Sequence, residues 1–445
     1  MILSLASLFL AVVIGALAVW RFASLVALAP RWAAVTFALG SGASLGIGAT
    51  AILYGLFGAA VHVPQVEFVL EIAVLAWLIH STWRKQRAPL AQIPVTWIAV
   101  GGIAIALFLV TSAMSFTWDA NPQGNWDAWS IWNLRAKFLT GVLPSRAWSP
   151  QLAETTHPEY PLLLSSAVAR SWAAGSNTDS SAPIAISYAF FLSIAAAAAG
   201  GISILRGPMP GLLAGLIVIC TPALAAEVPQ QYADVPIAAS FTCALIFAML
   251  DRPLWAGVFA GLAAWTKDEG ILFAVVLLAA LALFRRRDVL RYALGLVPVG
   301  LLIAVFKTFL APHVSSQFGA GMLGHFLEPE RYALLAGSVL ANTLTLGAGL
   351  YHPIYPIAAY AIAVRFRPAA LKEKWLGVAV VGATFIGYCA VLIGTPNDLK
   401  WQLSTATGRL LIQLWPLAVV SAMFWLGSVE EPAAAPARKG KRAGR

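Results

Sequence analysis

The densest group of residues that could carry chemistry is the segment NWDAWSIWNLRAKFL at 125–139. If it forms a helix that starts at Asp127, it has a tryptophan every three residues and a largely apolar sector, which is typical of a helix lying flat at a membrane interface. Asp127 could cap this helix, or it could serve as an ionised base at a wet interface. Arg135 and Lys137 could contact lipid phosphates or simply extend toward water.

Four further segments carry charged and aromatic side chains. HPEYPLLL at 157–164 is made stiff and non-helical by its two prolines, and QYADVP at 231–236 begins a helix. GLAAWTKDEG at 261–270 is a charged hairpin tip, and TPNDLKWQLSTATGRLLIQLWP occupies 395–416. Taken singly, each has a plain structural explanation, such as helix capping. The candidate residues in these segments are His157, Glu159, Tyr160, Asp234, Lys267, Asp268, Glu269, Asp398 and Arg409.

The chain that must position these residues has 445 amino acids, of which 60% are hydrophobic and only 11% are charged. A soluble domain is about 25% charged. This composition therefore excludes a cytosolic enzyme, a disordered scaffold and a secreted disulfide framework. The three cysteines lie in apolar runs, where we expect neither a disulfide nor a metal site. The net charge of +10 does not indicate nucleic-acid binding, because the basic residues occur in short clusters between apolar runs.

We predict an all-α, polytopic membrane protein, because backbone polar groups in lipid must be satisfied within the segment. The apolar runs indicate about thirteen transmembrane helices, near 3–26, 33–57, 66–82, 95–114, 183–205, 211–226, 234–250, 253–267, 270–284, 292–310, 346–365, 375–394 and 409–427. The long stretch 115–182 is expected to form a structured first outer loop of interfacial helices, with 162–174 interfacial or re-entrant. A second long outer loop, 311–345, contains a candidate surface helix.

Most of the 29 lysines and arginines fall in connections on one side of these helices, and the positive-inside rule makes that side cytoplasmic. The candidate segments then share the outer face of a bacterial inner membrane, toward the periplasm or exterior. We divide the chain into N-terminal accessory helices (1–92), a catalytic core with its outer loop (93–310), a further outer loop with C-terminal helices (311–430) and a disordered basic cytoplasmic tail (431–445).

In this order the segments resemble those of the GT-C glycosyltransferases, and most closely the protein O-mannosyltransferase and aminoarabinose-transferase branch. That branch has an acidic residue that opens a surface helix in the first outer loop, a segment of the form K/H-P-P-L, an aspartate that begins a later helix, and a GLA-x-x-TK hairpin tip. Asp127, HPEYPLLL, Asp234 and GLAAWTK occupy those places. The resemblance covers roughly residues 95–310, with a looser match around Asp398 and Arg409. This chain departs from the pattern by lacking paired acids beside Asp127 and by having TKDEG where the family has TKGP.

The resemblance implies a GT-C-like core and an inverting transferase that uses a polyprenyl-phosphate-linked sugar. Its partners would be that donor, a glycan, lipid or protein acceptor, and membrane lipids, with no nucleic acid and no cofactor or obligatory metal. Asp127 would be the general base, and the leaving phosphate would contact Lys267, Arg409, Arg135 and Lys137. The remaining candidates would orient the sugar or organise the cations.

Two other classes of protein stay open. A transporter or flippase for a lipid-linked saccharide would place ionisable residues near the bilayer midplane, where the sequence offers chiefly Glu71 and Lys307. A non-catalytic membrane scaffold has no reason to collect five charged segments at one face.

Overall fold

The computed structural model of the protein describes residues 1–28, 30–60, 64–83, 97–141, 143–312, 321–368 and 374–427. Within these ranges the chain forms helices and connecting loops and no β-sheet, so the all-α prediction is confirmed. The predicted tail at 431–445 lies outside the described residues, as do four basic residues of the predicted cytoplasmic connections, Arg84, Lys85, Arg87 and Lys372.

In chain order the helices are α1 (Ile2–Phe22), α2 (Arg31–Ala60), α3 (Pro64–Trp83), α4 (Trp97–Ala120), α5 (Asn133–Thr140), α6 (Leu163–Gly175), α7 (Ser181–Arg206), α8 (Pro208–Ile219), α9 (Pro222–Glu227), α10 (Asp234–Met249), α11 (Pro253–Thr266), α12 (Glu269–Phe284), α13 (Val289–Val305), α14 (Met322–His325), α15 (Pro329–Leu344), α16 (Ile354–Ala363), α17 (Trp375–Gly394) and α18 (Leu399–Trp425).

Fewer helices than predicted are long and apolar enough to cross a membrane. Every predicted apolar run overlaps a helix, but within the described residues seven helices meet the requirement, or eight if the bent pair α8 and α9 counts as one span. Helices α10, α11, α12 and α16 are apolar but short. The 16 residues of α10 measure about 24 Å, less than the roughly 30 Å of a hydrocarbon core. A membrane protein is supported, whereas thirteen crossings and the four-part division stay predictions.

Helices α10, α11 and α12 run back and forth between two levels of the bundle. At one level Arg252 Nε donates a hydrogen bond to the Ala23 carbonyl at the end of α1 (2.9 Å), and Arg285 donates to the Ala248 carbonyl near the end of α10. At the other level α10 and α12 begin and α11 ends, with their charged side chains in contact. Arg252 and Arg285 therefore lie at the opposite end of the short helices from Asp234, Lys267 and Glu269, while the side of the membrane that each end faces stays a prediction.

The first outer loop is structured, but it is buried more deeply than expected. A π-helical turn at Ala128–Trp132 leads into α5, and Trp132 is fully buried while Trp126 and Trp129 stay about half exposed. Helix α6 is buried along Leu163–Trp172 and packs against α1, α2 and α5. The expectation that 162–174 is not a full span holds, but α6 lies inside the protein rather than at an interface.

The predicted surface helix in the second outer loop is α15. Its Ser338 hydroxyl donates to the Thr407 hydroxyl of α18 at 3.0 Å, and Leu335 is buried against α17 and α18. Tyr332, Leu340 and Leu344 remain exposed. Helix α15 therefore covers the end of α17 and the first part of α18, and it leaves an apolar side exposed.

Candidate functional site

Five candidate residues from four distant parts of the chain meet in one group, the charged cluster: Asp127, Asp234, Lys267, Glu269 and Arg409. The Arg409 Nη2 atom lies 2.6 Å from Asp127 Oδ2 and 2.8 Å from Asp234 Oδ2. The Lys267 Nζ atom lies 3.5 Å from Asp234 Oδ1 and 2.7 Å from Glu269 Oε1. Two cations thus hold three carboxylates together, and Arg409 is the link between the outer loop and the helical bundle.

Asp234 is the buried centre of the charged cluster. Its side chain is fully buried at the first residue of α10, and it accepts hydrogen bonds from Arg409 Nε (2.8 Å) and Gln413 Nε2 (2.6 Å). Arg409 and Gln413 are four residues apart on α18, so they project from the same face. The Gln413 carbonyl in turn accepts a hydrogen bond from the Tyr388 hydroxyl at 2.6 Å. A buried carboxylate is tolerable only when it is paired and hydrogen-bonded in this way.

Asp127 reaches the charged cluster because the first outer loop docks onto the connection between α9 and α10. The Asn125 amide donates to the Gln230 carbonyl at 3.3 Å. Gly124 has a φ of +75°, and a Cβ atom there would come within 2.6 Å of the same carbonyl. Asp127 makes no capping hydrogen bond at its own helix. The capping explanation for Asp127 is therefore wrong, and its carboxylate is instead paired with Arg409 while 18% of the side chain stays exposed.

Tyr232 and Glu227 border the charged cluster and were not singled out by the sequence analysis. The Tyr232 ring centre lies 4.5 Å from Arg409 Cζ, within range of a cation–π interaction. Burial, with the negative charge of Asp127, raises the pKa of Tyr232 to about 12. Glu227 is buried at the end of α9, and its Oε1 atom makes no hydrogen bond to the described residues. The only sequence signal was that Tyr232 belongs to the QYADVP segment and that Glu227 follows an apolar run.

A second group of charged residues lies beside the hairpin tip between α11 and α12: His157, Glu159, Asp268 and Lys307. The His157 Nδ1 and Glu159 Oε1 atoms are 2.9 Å apart, and Lys307 Nζ lies 2.8 Å from Asp268 Oδ1. Asp268 therefore pairs with Lys307, whereas its chain neighbours Lys267 and Glu269 pair with each other. Lys307 lies at a helix end. This second group is more open than the charged cluster, since a third of His157 and about two fifths of Asp268 are exposed.

Tyr160 is enclosed by rings and carboxylates next to the second group. Its ring stacks on His157 with centres 4.5 Å apart and on Trp132 with centres 5.8 Å apart. Burial, reinforced by nearby carboxylates, raises the pKa of Tyr160 well above its ordinary value. Burial also raises the pKa of Glu159, but the hydrogen bond and charge of His157 outweigh this and hold the pKa below its ordinary value. Glu159 is therefore a carboxylate at neutral pH, and Tyr160 is a neutral phenol.

Arg135 does not lie where the sequence analysis expected. It is fully buried, and burial lowers its pKa to about 10, so it is still a cation at neutral pH. Its guanidinium donates to the carbonyls of Ala147 (2.7 Å), Tyr160 (2.6 Å), His157 and Pro158 (3.4 Å each). Since these donors are committed to the backbone, the prediction that Arg135 binds a phosphate is corrected: it holds the loop that presents the second group.

Two other candidates lie apart from both groups in the described contacts. Lys137 is exposed on α5, and no described contact connects it to either group. The Asp398 carboxylate accepts a hydrogen bond from the Trp401 amide at 2.8 Å, so it caps α18. It precedes Arg409 by three turns, which is about 16 Å along the helix. Asp398 therefore has a structural role as a helix cap, and its contact with substrate stays a prediction.

Among the described residues there is no group of three or more histidine, cysteine, aspartate or glutamate side chains arranged to hold a metal ion. No known protein family, curated protein or solved structure matches the chain. The assignment of function therefore depends on the chemistry of the charged cluster and the second group.

Proposed function

We propose that the protein transfers a sugar from a polyprenyl-phosphate donor to an acceptor hydroxyl at the outer face of a bacterial inner membrane, on a GT-C-like core. The observation that carries the proposal is the position of Arg409, which joins Asp127 of the first outer loop to the buried Asp234 beside Lys267. A partly exposed carboxylate and two cations in one place are the parts that this reaction needs. The charged cluster lies at the opposite end of α10 and α12 from Arg252 and Arg285. By the positive-inside rule, this separation favours a site that faces outward.

In this reaction Asp127 is the general base. It accepts the proton of the acceptor hydroxyl while that oxygen bonds to the anomeric carbon of the sugar. The bond from the anomeric carbon to the phosphate oxygen breaks, its electron pair leaves with the lipid phosphate, and the configuration inverts. A positioned base contributes about 10²–10⁴-fold to such a step.

Arg409 and Lys267 stabilise the negative charge that develops on the leaving phosphate. The planar guanidinium of Arg409 suits two phosphate oxygens at once, whereas the ammonium of Lys267 acts as a point charge. Both side chains are held in place by the buried Asp234, which Gln413 supports from the next turn of α18. Without donor, Arg409 neutralises Asp127. A bound phosphate competes for the guanidinium and leaves the Asp127 carboxylate available as a base.

The second group supplies contacts for the sugar or the acceptor. His157, Glu159 and Asp268 offer hydrogen-bonding groups to hydroxyls, and Lys307 adds a cation that the sequence analysis did not include among the site residues. The His157 ring, which is one third exposed and is held by stacking on Tyr160, offers a flat surface of the kind on which sugar rings pack. Lys267 and Glu269 belong to the charged cluster while Asp268 belongs to the second group, so the hairpin tip connects the two.

A transporter or flippase for a lipid-linked saccharide is the alternative function. The observation that favours it is a set of charged residues buried among the N-terminal helices, Glu67, Glu71 and Arg170. Ionisable residues inside a membrane bundle are frequent in transport pathways.

The experiment that separates the two functions uses purified protein and radiolabelled polyprenyl-phosphate sugars. A transferase releases free lipid phosphate and moves the label to an acceptor, in detergent as well as in vesicles. A transporter moves intact donor across a vesicle membrane and releases no lipid phosphate. Translocation without release, for donors that demonstrably bind, would replace the proposed reaction with the alternative.

A further inference from the structure

Three charged side chains are buried together where α1, α3 and α6 meet, away from the charged cluster and the second group. Glu67 and Glu71 lie one turn apart on α3, and Arg170 lies on α6. Their exposed fractions are 0%, 2% and 2%. The formal charge of this buried triad is −1 when both glutamates are ionised, and a buried, uncompensated charge is strongly unfavourable.

The hydrogen bonds of the triad are unequal. Glu71 binds the guanidinium of Arg170 with both carboxyl oxygens, through Nε (2.8 Å) and Nη2. Glu67 receives only a share of the same Nε proton, at 3.0 Å, and its Oε2 atom is buried without a partner among the described residues. The remaining donor of Arg170, Nη1, bonds to the Ser7 carbonyl of α1 at 3.0 Å. Arg170 therefore compensates one carboxylate well and the other poorly.

The neighbouring elements supply no second cation in the described contacts. Glu67 faces Arg170 from α6, Glu71 from its own helix and Tyr54 from α2, while α1 contributes the Ser7 carbonyl. One additional proton would account both for the formal charge of −1 and for the unpartnered Oε2 atom of Glu67.

We infer that Glu67 and Glu71 form a proton-binding site that retains one proton at neutral pH, with Arg170 neutralising the other charge. The inference does not depend on the proposed transfer reaction. Helix α3 exposes apolar side chains on its outer side, including Val69, Ile72 and Trp77. The triad therefore supplies charged attachment between α3 and its neighbours α1 and α6, and loss of the proton weakens that attachment.

Infrared spectroscopy of the full-length protein tests the site directly, because a protonated carboxyl has a C=O stretching band that a carboxylate lacks. At neutral pH we expect this band in the wild type and a matching loss of intensity in both Glu67→Gln and Glu71→Gln. In each variant the single remaining carboxylate is fully compensated by Arg170 and ionises. The exposed Glu154→Gln is the matched control and leaves the band unchanged. Equal band intensity in the wild type and both triad variants would overturn the inference.

The pH dependence of unfolding gives a second readout. A carboxyl that keeps its proton in the fold contributes stability at low pH, and this contribution is lost as the pH rises through its folded pKa. We expect the unfolding temperature of the wild type to fall on the alkaline side more steeply than that of Glu67→Gln, with both equal at neutral pH. A drop for Glu67→Gln at neutral pH, absent from Glu154→Gln, would instead mark Glu67 as an ionised partner of Arg170 and refute the proton.

Discussion

The guanidinium of Arg409 lies 2.6 Å from the carboxylate of Asp127 and ties the last long helix to the first outer loop. The same Nη2 atom lies 2.8 Å from the buried Asp234. One side chain therefore fixes a partly exposed carboxylate of the charged cluster against its fully buried one. Because Asp127 and Arg409 are in direct contact, substituting each one singly tests the role of the base separately from the role of the cation.

Asp127→Asn should reduce sugar transfer by about 10²–10⁴-fold, because the amide cannot accept the acceptor proton. Donor binding should survive, since Arg409 keeps its contacts with Asp234. Release of lipid phosphate and donor binding are measured on the same preparation. Asp119→Asn, at an exposed position near the end of α4, is the matched control with full activity. Near-full turnover by Asp127→Asn would rule out this residue as the base.

Arg409→Lys should weaken donor binding while the protein stays folded. Lysine keeps the positive charge that Asp234 requires, but it lacks the planar fork that contacts two carboxylates or two phosphate oxygens. A charge-assisted hydrogen bond contributes about 1.5–3 kcal/mol, so we expect at least about a tenfold rise in the donor Kd. Arg146→Lys, exposed in the outer loop, should bind donor normally. Unchanged donor affinity in Arg409→Lys would exclude a phosphate role for the guanidinium.

Arg135→Ala should loosen the loop between α5 and α6 rather than remove a substrate contact. It deletes the donors to the Ala147 and Tyr160 carbonyls, and each buried carbonyl left unpaired costs about 1–3 kcal/mol. Limited proteolysis should then cut within 141–160. Lys137→Ala, two residues away but exposed, is the matched control. If both variants show the same cleavage, the proposed positioning role is wrong.

Glu159 should make the stability of this loop dependent on pH in the acidic range. Its pKa is lower in the fold than the ordinary value of 4.5, so its contribution is present above that value and is lost as the pH falls through the folded pKa. The unfolding temperature of the wild type should therefore decline more on acidification than that of Glu159→Gln. Glu154→Gln, exposed in the same loop, should follow the wild type. Parallel curves for the wild type and Glu159→Gln would contradict the assigned pairing with His157.

The helical architecture was predictable because composition and apolar runs report directly on backbone burial in lipid. Each predicted run overlaps a helix, and the outer loop carries the expected short helices. The number of crossings was not predictable in this way. Hydropathy measures how apolar a run is, whereas the 14 residues of α11 and the 16 residues of α12 end where charged hairpins meet, and only the fold sets that depth.

For the charged residues, too, the sequence determined one part and the tertiary structure determined another. Residue type and order alone singled out Asp127, Asp234, Lys267 and Arg409, because acids and cations beside apolar runs are costly and therefore informative. The tertiary structure decided how they are paired. The sequence could not distinguish Arg135 from Lys137, since both are basic and lie two residues apart. On a helix two residues point about 200° away from each other, so one enters the protein and the other faces outward.

The buried triad shows why the pairing of charged residues could not be predicted from the sequence. In the sequence Glu67 and Glu71 are two acids in an apolar run, and nothing local names Arg170 as their partner. Its hydrogen bonds join α1, α3 and α6 across a long stretch of chain. Local patterns determine which segments become helices and which of their residues are unusual. Only packing determines which unusual residues compensate one another, because charge compensation acts through space and not along the chain.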